Sequence, residues 1–495
     1  LEQSFRELEV TEELLARATE AKELQRDICS NGTWHLSGDF KVTEKMLVIE
    51  EPCNITADRV TLFLEHSLLF QYAVHFHRDL AVVALRALDF ACVVMGHDAF
   101  VEPGAVLRLK GCQNDGDGYG RGGAMRVLGD LEVRGELHIR DSWAAEKGGA
   151  ICVWKDFTQS SGTLTITDAS SESDGGAIYV YEGSFTQSGG TLTITHASSE
   201  SDGGAMWIGG DLTMKKNTLS IRHATAKIGG GIRVGGHVSF EDAAASFDHC
   251  HALEDGGGIR AFGDVDAVNT SLTFNSSIAT TGHGAALVAK NLTQRGGEML
   301  ILNSSAGQEI ISVRAWTTDS AVRLEDCSSS TFLVAVQEAA LNGTLSSNNC
   351  TGAAGTLVSQ GPVELRNAVF RKTSSPQVRA PMFQGSNWNV TGTETWISAT
   401  VSNLHKIDCD HVFAGVVNAD GVGCRTCDPG FTFVKHAGVT IGSVKGKKSD
   451  LQQCRKCPEG ASICNATAIQ MSPGLMVDQS DISRPYHCPN PLACP

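Results

Sequence analysis

The sequence predicts an all-β protein that folds as a right-handed parallel β-helix, with three short strands in each coil of about 27 residues. The segment FTQSSGTLTITDASSESDGGAIYV (157–180) returns almost unchanged as FTQSGGTLTITHASSESDGGAMWI (185–208). A Gly-Gly pair marks the same period and begins at Gly122, Gly148, Gly175, Gly203, Gly229 and Gly256. Three apolar-alternating runs fill each unit, so the unit forms one coil stacked on its neighbours.

The strand after the glycines sets the register of the coil. Side chains alternate across a strand, so two apolar columns two residues apart must point inward. These columns are Met125, Ile151, Ile178, Met206, Ile232 and Ile259, and Val127, Val153, Val180, Ile208, Val234 and Ala261. A second strand carries Phe157, Phe185, Leu212 or Val238, and a third carries a Leu-x-Ile run such as Leu164/Ile166. The glycines permit a tight turn with positive φ.

Four regions follow from these patterns. Residues 1–27 carry an amphipathic pattern and predict a helical cap on the open end of the solenoid. Residues 28–372 form the β-helix, with less regular coils at both ends. Residues 373–408 are a last coil or a linker, and residues 409–495 form a small cysteine-rich disulfide module.

Composition favours an extracellular protein. The net charge of −16 argues against a nucleic-acid surface, which needs clustered Lys and Arg. Sixteen Cys fit an oxidising compartment. Ten Asn-x-Ser/Thr sequons predict glycosylation at Asn31, Asn54, Asn269, Asn275, Asn291, Asn303, Asn342, Asn349, Asn389 and Asn465. No apolar leader or membrane-spanning run is visible, which indicates a mature product or an ectodomain. A membrane span beyond Pro495 remains open.

Two resemblances support a surface location. The Gly-Gly-Ala-Ile/Met units over residues 120–290 resemble the repeats of chlamydial polymorphic outer membrane proteins, which are β-helix adhesins. The chain departs from them in lacking a regular Phe-x-x-Asn motif. Cys424-x-x-Cys427-Asp-Pro-Gly and Cys454-x-x-Cys457-Pro-Glu-Gly resemble ephrin-receptor-like cysteine-rich repeats, a combination similar to large algal and protist surface proteins. Together these resemblances imply adhesion.

The cysteine spacing predicts disulfides. The two members of Cys29/Cys53, of Cys92/Cys112 and of Cys327/Cys350 are separated by close to one coil of sequence, and equivalent positions on adjacent coils are within disulfide range. Cys152 and Cys250 should not pair with each other. Disulfides are also expected among Cys409, Cys424, Cys427, Cys454, Cys457, Cys464, Cys488 and Cys494. A zinc ribbon is the alternative for the two C-x-x-C pairs.

An outward column on the post-glycine strand is the candidate binding surface. Its predicted binding residues are Arg126, Trp154, Tyr179, Tyr181, Trp207, Arg233 and Arg260. Aromatic faces beside Arg side chains on a flat ladder suit stacking against sugar rings. Alternatively, these side chains simply pair across an exposed sheet.

A second polar column ends the Leu-x-Ile strand. It contains Asp141, Asp168, His196, His223 and His249. His196, His223 and His249 could bind a divalent metal, but we prefer the interpretation that these are polar residues entering a turn. We therefore expect no metal and no cofactor.

These observations predict a non-catalytic extracellular or cell-surface protein that adheres to, or recognises, a glycan or a surface protein. The alternative is a polysaccharide lyase or hydrolase with a pectin-lyase-like β-helix. That chemistry needs clustered carboxylates. The pre-glycine residues Asp174 and Asp202 stack, but the next coil has Ile228 at this position and Asp255 is isolated, which argues against a catalytic cluster.

Overall fold

The computed structural model describes residues 31–43, 46–116, 120–343 and 345–360, with Cys29 and short segments outside these ranges. The fold is all-β: a parallel β-solenoid of right-handed type with about 11 turns, and the described residues contain no helix. Contacts divide the chain into two units. One comprises Leu1–Lys290 and Leu300–Ile311, and the other comprises Asn291–Met299 and Ser312–Pro495.

Three series of parallel strands build the first unit. The first strands are Leu47–Ile49, Leu68–Phe70, Val93–Met95, Met125–Val127, Ile151–Val153, Ile178–Val180, Met206–Ile208, Ile232–Val234 and Ile259–Ala261. The second strands are Ala99–Val101, Leu131–Val133, Phe157–Gln159, Phe185–Gln187, Leu212–Lys215 and Val238–Glu241. The third strands are Val106–Lys110, Glu136–Ala144, Thr163–Ser171, Thr191–Ser199, Thr218–Ala226 and Ala244–Asp248.

Other strands complete both units. Those near the N-terminus are Thr33–Leu36, Phe40–Val42, Cys53–Leu64 and Val74–Ala84, and Val265–Asn275 follows the regular coils. Strands of the second unit include Ala321–Glu325, Phe332–Val336, Glu338–Leu341, Leu345–Asn348, Gly355–Ser359 and Pro362–Arg366. Asn387–Gly392 pairs in parallel with Pro362–Arg366. Antiparallel pairs begin with Trp396–Ile397 against Gly421–Arg425 and include Ala461–Cys464 with Ile469–Met471.

The register predicted from the glycine period is confirmed. Ile178 pairs with Ile151 on one side and Met206 on the other, and Tyr179 lies between Cys152 and Trp207. The inward residues of these strands are fully buried, as are Phe157, Phe185, Leu212 and Val238 of the second strands. The core is therefore a set of stacked apolar columns running along the solenoid axis.

The third strand of each regular coil does not end after the Leu-x-Ile run, as the sequence suggested. The third strands of the regular coils continue past the Leu-x-Ile run and bend in the middle, where one residue has positive φ. The residues at this corner are Asp141, Asp168, His196, His223 and His249, with φ between 51° and 56°. Asp and His tolerate the left-handed region better than most non-glycine residues. Except for His249, these polar residues thus lie at a bend within the third strand, rather than at the strand end that the sequence suggested.

The helical cap predicted for residues 1–27 is not supported. All of these residues except Thr19 and Glu20 lie outside the described part of the chain. Thr19–Glu20 form a short strand that pairs in parallel with Phe40–Lys41.

A ladder of polar side chains closes the turn between first and second strands. The Asp98 carboxylate accepts the backbone N–H of Asp130 at 2.9 Å, and Asp130 in turn accepts the N–H of Asp156 at 3.1 Å. Asp156 accepts from Ser184, one coil further on, at 2.8 Å. The series continues in the same way: Ser184 accepts the N–H of Asp211, and Asp211 accepts that of His237. His237 Nδ1 then accepts the N–H of Asp264. Each side chain thus binds the backbone of the next coil.

Two of the three predicted solenoid disulfides are present. Cys29–Cys53 and Cys92–Cys112 have Cα–Cα distances of 5.5 and 5.7 Å. The geometric reason given for Cys92–Cys112 was wrong, because Cys92 precedes a first strand and Cys112 follows a third strand of the same coil. In the C-terminal region Cys457 pairs with Cys464, and Cys488 is also disulfide-bonded. The bond to Cys464 removes Cys457 from any four-thiolate zinc ribbon.

The third predicted bridge is not formed. Cys327 and Cys350 are buried thiols, although the adjoining Ser328 and Thr351 are directly in register. The Cys327 sulfur donates to the Glu325 carbonyl at 3.3 Å, and Cys350 Sγ accepts the Cys327 backbone N–H at 3.3 Å. Cys152 and Cys250 are buried thiols not bonded to each other, as predicted.

Candidate aromatic binding surface

Aromatic and cationic side chains stack from coil to coil along the outward side of the first strands. We define the aromatic–cation ladder by eight residues: Lys147, Trp154, Tyr179, Tyr181, Trp207, Arg233, Arg260 and Phe262. It lies on this side because the neighbouring residues of each strand form the inward columns. Side-chain alternation therefore separates the ladder from the core.

Ring stacking joins the central coils. The Tyr179 and Trp207 rings are 4.5 Å apart between centroids, with planes inclined by 19°. The Trp154 and Tyr181 rings are also 4.5 Å apart, but their planes are inclined by 45°. Each of these two ring pairs joins residues of adjacent coils.

Cations lie over several of the ring faces. Lys147 Nζ lies 4.7 Å from the Tyr179 ring centroid and donates to the Tyr179 hydroxyl at 3.1 Å. The Arg233 guanidinium lies between two rings, 5.0 Å from Trp207 and 4.8 Å from Phe262. Arg260 is 4.6 Å from the Phe262 ring. Such contacts are attractive because a ring face carries negative electrostatic potential.

Carboxylates neutralise two of these cations. Lys147 Nζ lies 2.8 Å from Asp174, and Arg233 Nε lies 3.0 Å from Asp202. Burial opposes charge on Lys147, but its hydrogen bonds to Asp174 and Tyr179 outweigh this and raise its pKa. Burial raises the pKa of Asp202, and Arg233 opposes that shift. Burial also raises the pKa of Tyr179.

The structure revises the expected exposure of this surface. Tyr179 faces away from the core as predicted but is only 1% exposed, because its neighbours cover it. Trp154 and Trp207 are half-buried, and Tyr181 is 37% exposed. Arg126 is half-buried and continues the outward column beside the buried Cys152. The idea that all four aromatic faces are open to sugars was therefore wrong for Tyr179.

Sequence reasoning missed two members of the ladder. Phe262 is 51% exposed and stands two residues after Arg260, the same offset that relates Tyr181 to Tyr179. That offset could have revealed it. Lys147 directly precedes the Gly148 turn and reaches the ladder from there, which no periodic pattern indicates.

A second row of residues follows the outward column, two residues later along the chain in each coil. It contains Leu128, Trp154, Tyr181, Gly209, Gly235 and Phe262, and each N–H donates to a carbonyl of the preceding coil. The two glycines carry no side chain, which leaves a gap in this row of side chains between Tyr181 and Phe262, three coil steps or about 14 Å long. Arg233 occupies part of the gap, between Trp207 and Phe262, and the backbone is close beneath it, since the Tyr181 carbonyl oxygen lies 1.9 Å from where a Gly209 Cβ would stand. Trp207 forms part of its floor, since Trp207 Cζ3 lies 3.2 Å from where a Gly209 Cβ would stand. We call this gap the glycine notch.

The carboxylates considered for polysaccharide cleavage are engaged elsewhere. Asp174 and Asp202 pair with Lys147 and Arg233, as described above. Asp255 accepts the backbone N–H of His283 at 2.9 Å. Asp174 and Asp202 therefore act as ion-pair partners of ladder cations.

The three histidines stack at the third-strand corner. Ring centroids are 5.1 Å apart for His196 and His223, and 4.9 Å apart for His223 and His249. Within the described residues, no group of three His, Cys, Asp or Glu side chains is arranged to hold a metal ion.

The described part of the chain also contains no helix long and apolar enough to span a membrane.

The sequon asparagines are accessible where the structure describes them. Asn31, Asn54, Asn269, Asn303, Asn342 and Asn349 are exposed, while Asn275 and Asn291 are half-buried. The Asn389 and Asn465 side chains lie outside the described part of the chain.

Comparisons with protein-family models, with curated proteins and with solved structures found no match.

Proposed function

We propose that this chain is a non-catalytic extracellular recognition protein whose glycine notch binds a glycan. The observation that carries the proposal is the pair of exposed rings, Tyr181 and Phe262, on either side of a gap floored by Trp207. Exposed aromatic side chains clustered on a rigid surface are costly in water and commonly mark a binding site. A flat apolar ring face with polar neighbours matches the alternating apolar and hydroxyl surfaces of a sugar.

Charge favours an uncharged glycan. The Lys147–Asp174 and Arg233–Asp202 pairs bring two positive and two negative charges to the ladder, and Arg260 adds one more positive charge. These groups supply donors and acceptors for sugar hydroxyls without a strong net field. An acidic polysaccharide would instead require uncompensated Lys and Arg.

Disulfides and sequons support the extracellular location. Cys29–Cys53 and Cys92–Cys112 would persist in an oxidising compartment, and six sequon asparagines of the described residues are exposed. We further propose that the Gly-Gly-Ala-Ile units are of the polymorphic outer membrane protein type and the C-terminal module is ephrin-receptor-like. On this view the protein acts in adhesion at the cell surface.

A glycan-binding assay tests the proposal. The purified glycosylated chain is applied to immobilised neutral and acidic glycans. A Tyr181→Ala/Phe262→Ala double variant should lose at least about tenfold in affinity for the glycan bound. Tyr72→Ala is the matched control, because Tyr72 is also an exposed tyrosine but lies outside the ladder.

Two outcomes would overturn the proposal. Binding that is unchanged in the double variant would remove the notch as the site. Release of new reducing ends from a soluble polysaccharide by the wild-type chain would replace recognition with the enzymatic alternative.

A further inference from the structure

The stacked rings of His196, His223 and His249 form a second surface feature, which we call the imidazole ladder. The three residues have φ values of 51°, 52° and 52°, so their backbones are nearly identical. Identical backbones on coils about 4.8 Å apart direct the Cα–Cβ bonds in parallel. The end residues remain accessible, with side chains 58% exposed for His196 and 53% exposed for His249.

Carboxylates lie beside Nδ1 of the two end rings. His249 Nδ1 is hydrogen-bonded to Asp248 at 3.0 Å, and His196 Nδ1 lies 3.2 Å from Asp168. An ionised carboxylate only accepts hydrogen bonds, so Nδ1 of His249 must carry the proton, and the negative charge of Asp168 favours the same tautomer in His196. In a neutral ring protonated at Nδ1, the lone pair on Nε2 is free to bind a metal ion. Carboxylates that orient imidazoles in this manner are a general feature of metal-binding histidines.

We propose that adjacent imidazoles of the ladder bind one divalent transition-metal ion, such as Cu²⁺, through Nε2. Imidazole nitrogen suits Cu²⁺, Ni²⁺ and Zn²⁺, and Cu²⁺ binds most tightly in this series. The rings are stacked rather than converged, so two exposed side chains must rotate toward each other, with water completing the coordination. His223 is common to both possible pairs and is the essential ligand.

This inference is independent of the glycan proposal, because the imidazole ladder and the glycine notch use different strands and share no residue. It also explains why three consecutive corners carry His, whereas Asp would satisfy the same backbone conformation. Asp141 and Asp168 show that the solenoid accepts Asp at this corner.

Copper titration of the full glycosylated chain tests the site. Binding is followed calorimetrically, and electron paramagnetic resonance counts the coordinated nitrogens. We expect one Cu²⁺ with two imidazole nitrogens, and His223→Asn should weaken binding at least about tenfold. His196→Asn and His249→Asn each leave one pair and should weaken it only about twofold. Asn tolerates positive φ, so these variants keep the corner.

A matched control and a positioning variant complete the design. His251→Asn changes a neighbouring histidine that is hydrogen-bonded to Thr280 and should leave copper binding unchanged. Asp168→Asn should weaken binding in the His249→Asn background, where only the His196–His223 pair remains. Copper affinity and nitrogen count that stay the same in the His196/His223/His249→Asn triple variant would overturn the proposal.

Discussion

At the turn after each first strand, one side-chain oxygen or nitrogen accepts a backbone N–H from the next coil. Asp156 is representative, since it accepts from Ser184 at 2.8 Å on an exposed turn. A hydrogen bond of this kind contributes modestly because water competes for both groups. Its importance comes from repetition along the solenoid.

Replacing Asp156 tests this role. Asp156→Ala should lower the free energy of unfolding by about 1 kcal/mol, because the Ser184 N–H loses its acceptor. Asp156→Asn keeps an acceptor oxygen and should cost less. Urea unfolding followed by circular dichroism provides the measurement. Glu182→Ala, on a neighbouring exposed turn, is the control and should change stability by less than about 0.5 kcal/mol. Equal effects at the two positions would contradict the assignment.

Burial protects the thiols of Cys152 and Cys250 from reaction. Burial raises the pKa of Cys152 to about 11 and that of Cys250 to about 12, from a usual value of 9.0. The thiolate is the reactive form, so at pH 8 about one Cys152 in a thousand would be ionised. Neither cysteine is placed for redox chemistry.

Alkylation measures this protection. At pH 8 in the native state, iodoacetamide should label Cys152 and Cys250 far more slowly than in urea. The same shifts predict a stability change: the unfolded thiols ionise above pH 9 while the folded ones do not, so stability falls as pH rises from about 9 to 11. Cys152→Ala should reduce that alkaline loss. Rapid native labelling at pH 8 would show that these sites open readily.

At the scale of the strand and turn, the paired glycines serve two separate purposes. The first glycine of each pair has positive φ, for example 69° at Gly175. The second glycine is needed for space alone, whereas the first combines positive φ with crowding, because a Cβ on Gly175 would stand 2.5 Å from the Ile178 carbonyl oxygen. A Cβ on Gly176 would stand 2.0 Å from the Gly204 carbonyl oxygen and 2.5 Å from that of Ser198. Backbone on two sides cannot retreat without opening the coil.

Substitution by Ala separates crowding from conformation. Gly176→Ala should lower the free energy of unfolding by more than about 3 kcal/mol, because backbone atoms block the methyl group. Gly104→Ala places a residue at a φ of 77° in open space and should cost about 1 kcal/mol. Gly38→Ala has neither problem and serves as the control. A mild Gly176→Ala variant would mean that adjacent coils can shift apart.

The elements that sequence predicted best are those fixed by side-chain alternation. A glycine period and one column of Ile and Met determine which residues face inward, since a one-residue slip would expose the whole column. Coverage by neighbours follows no such period, which is why the burial of Tyr179 was missed. Spacing also predicted a Cys327/Cys350 bridge that is not formed, although the adjoining residues are in register.

At the scale of the whole molecule, contacts beyond the local turn join each coil to its neighbours. Tyr179, for example, pairs with Cys152 of the preceding coil and with Trp207 of the following coil. Stability is then close to a sum of coil and interface contributions, rather than the property of a single central core. The solenoid can open at one coil while distant coils stay paired.

Hydrogen exchange of the Gly176→Ala variant distinguishes local from global opening. The substitution disturbs the backbone contacts with Gly204 and Ser198, so amides of residues 148–208 should exchange faster. Amides of Val93–Met95 and Ile259–Ala261 lie in first strands of more distant coils and should keep wild-type exchange, because nearest-neighbour coupling decays along the stack. Mass spectrometry of peptides from the exchanged protein gives the comparison. Uniform acceleration across all these strands would show that the solenoid unfolds as one cooperative unit.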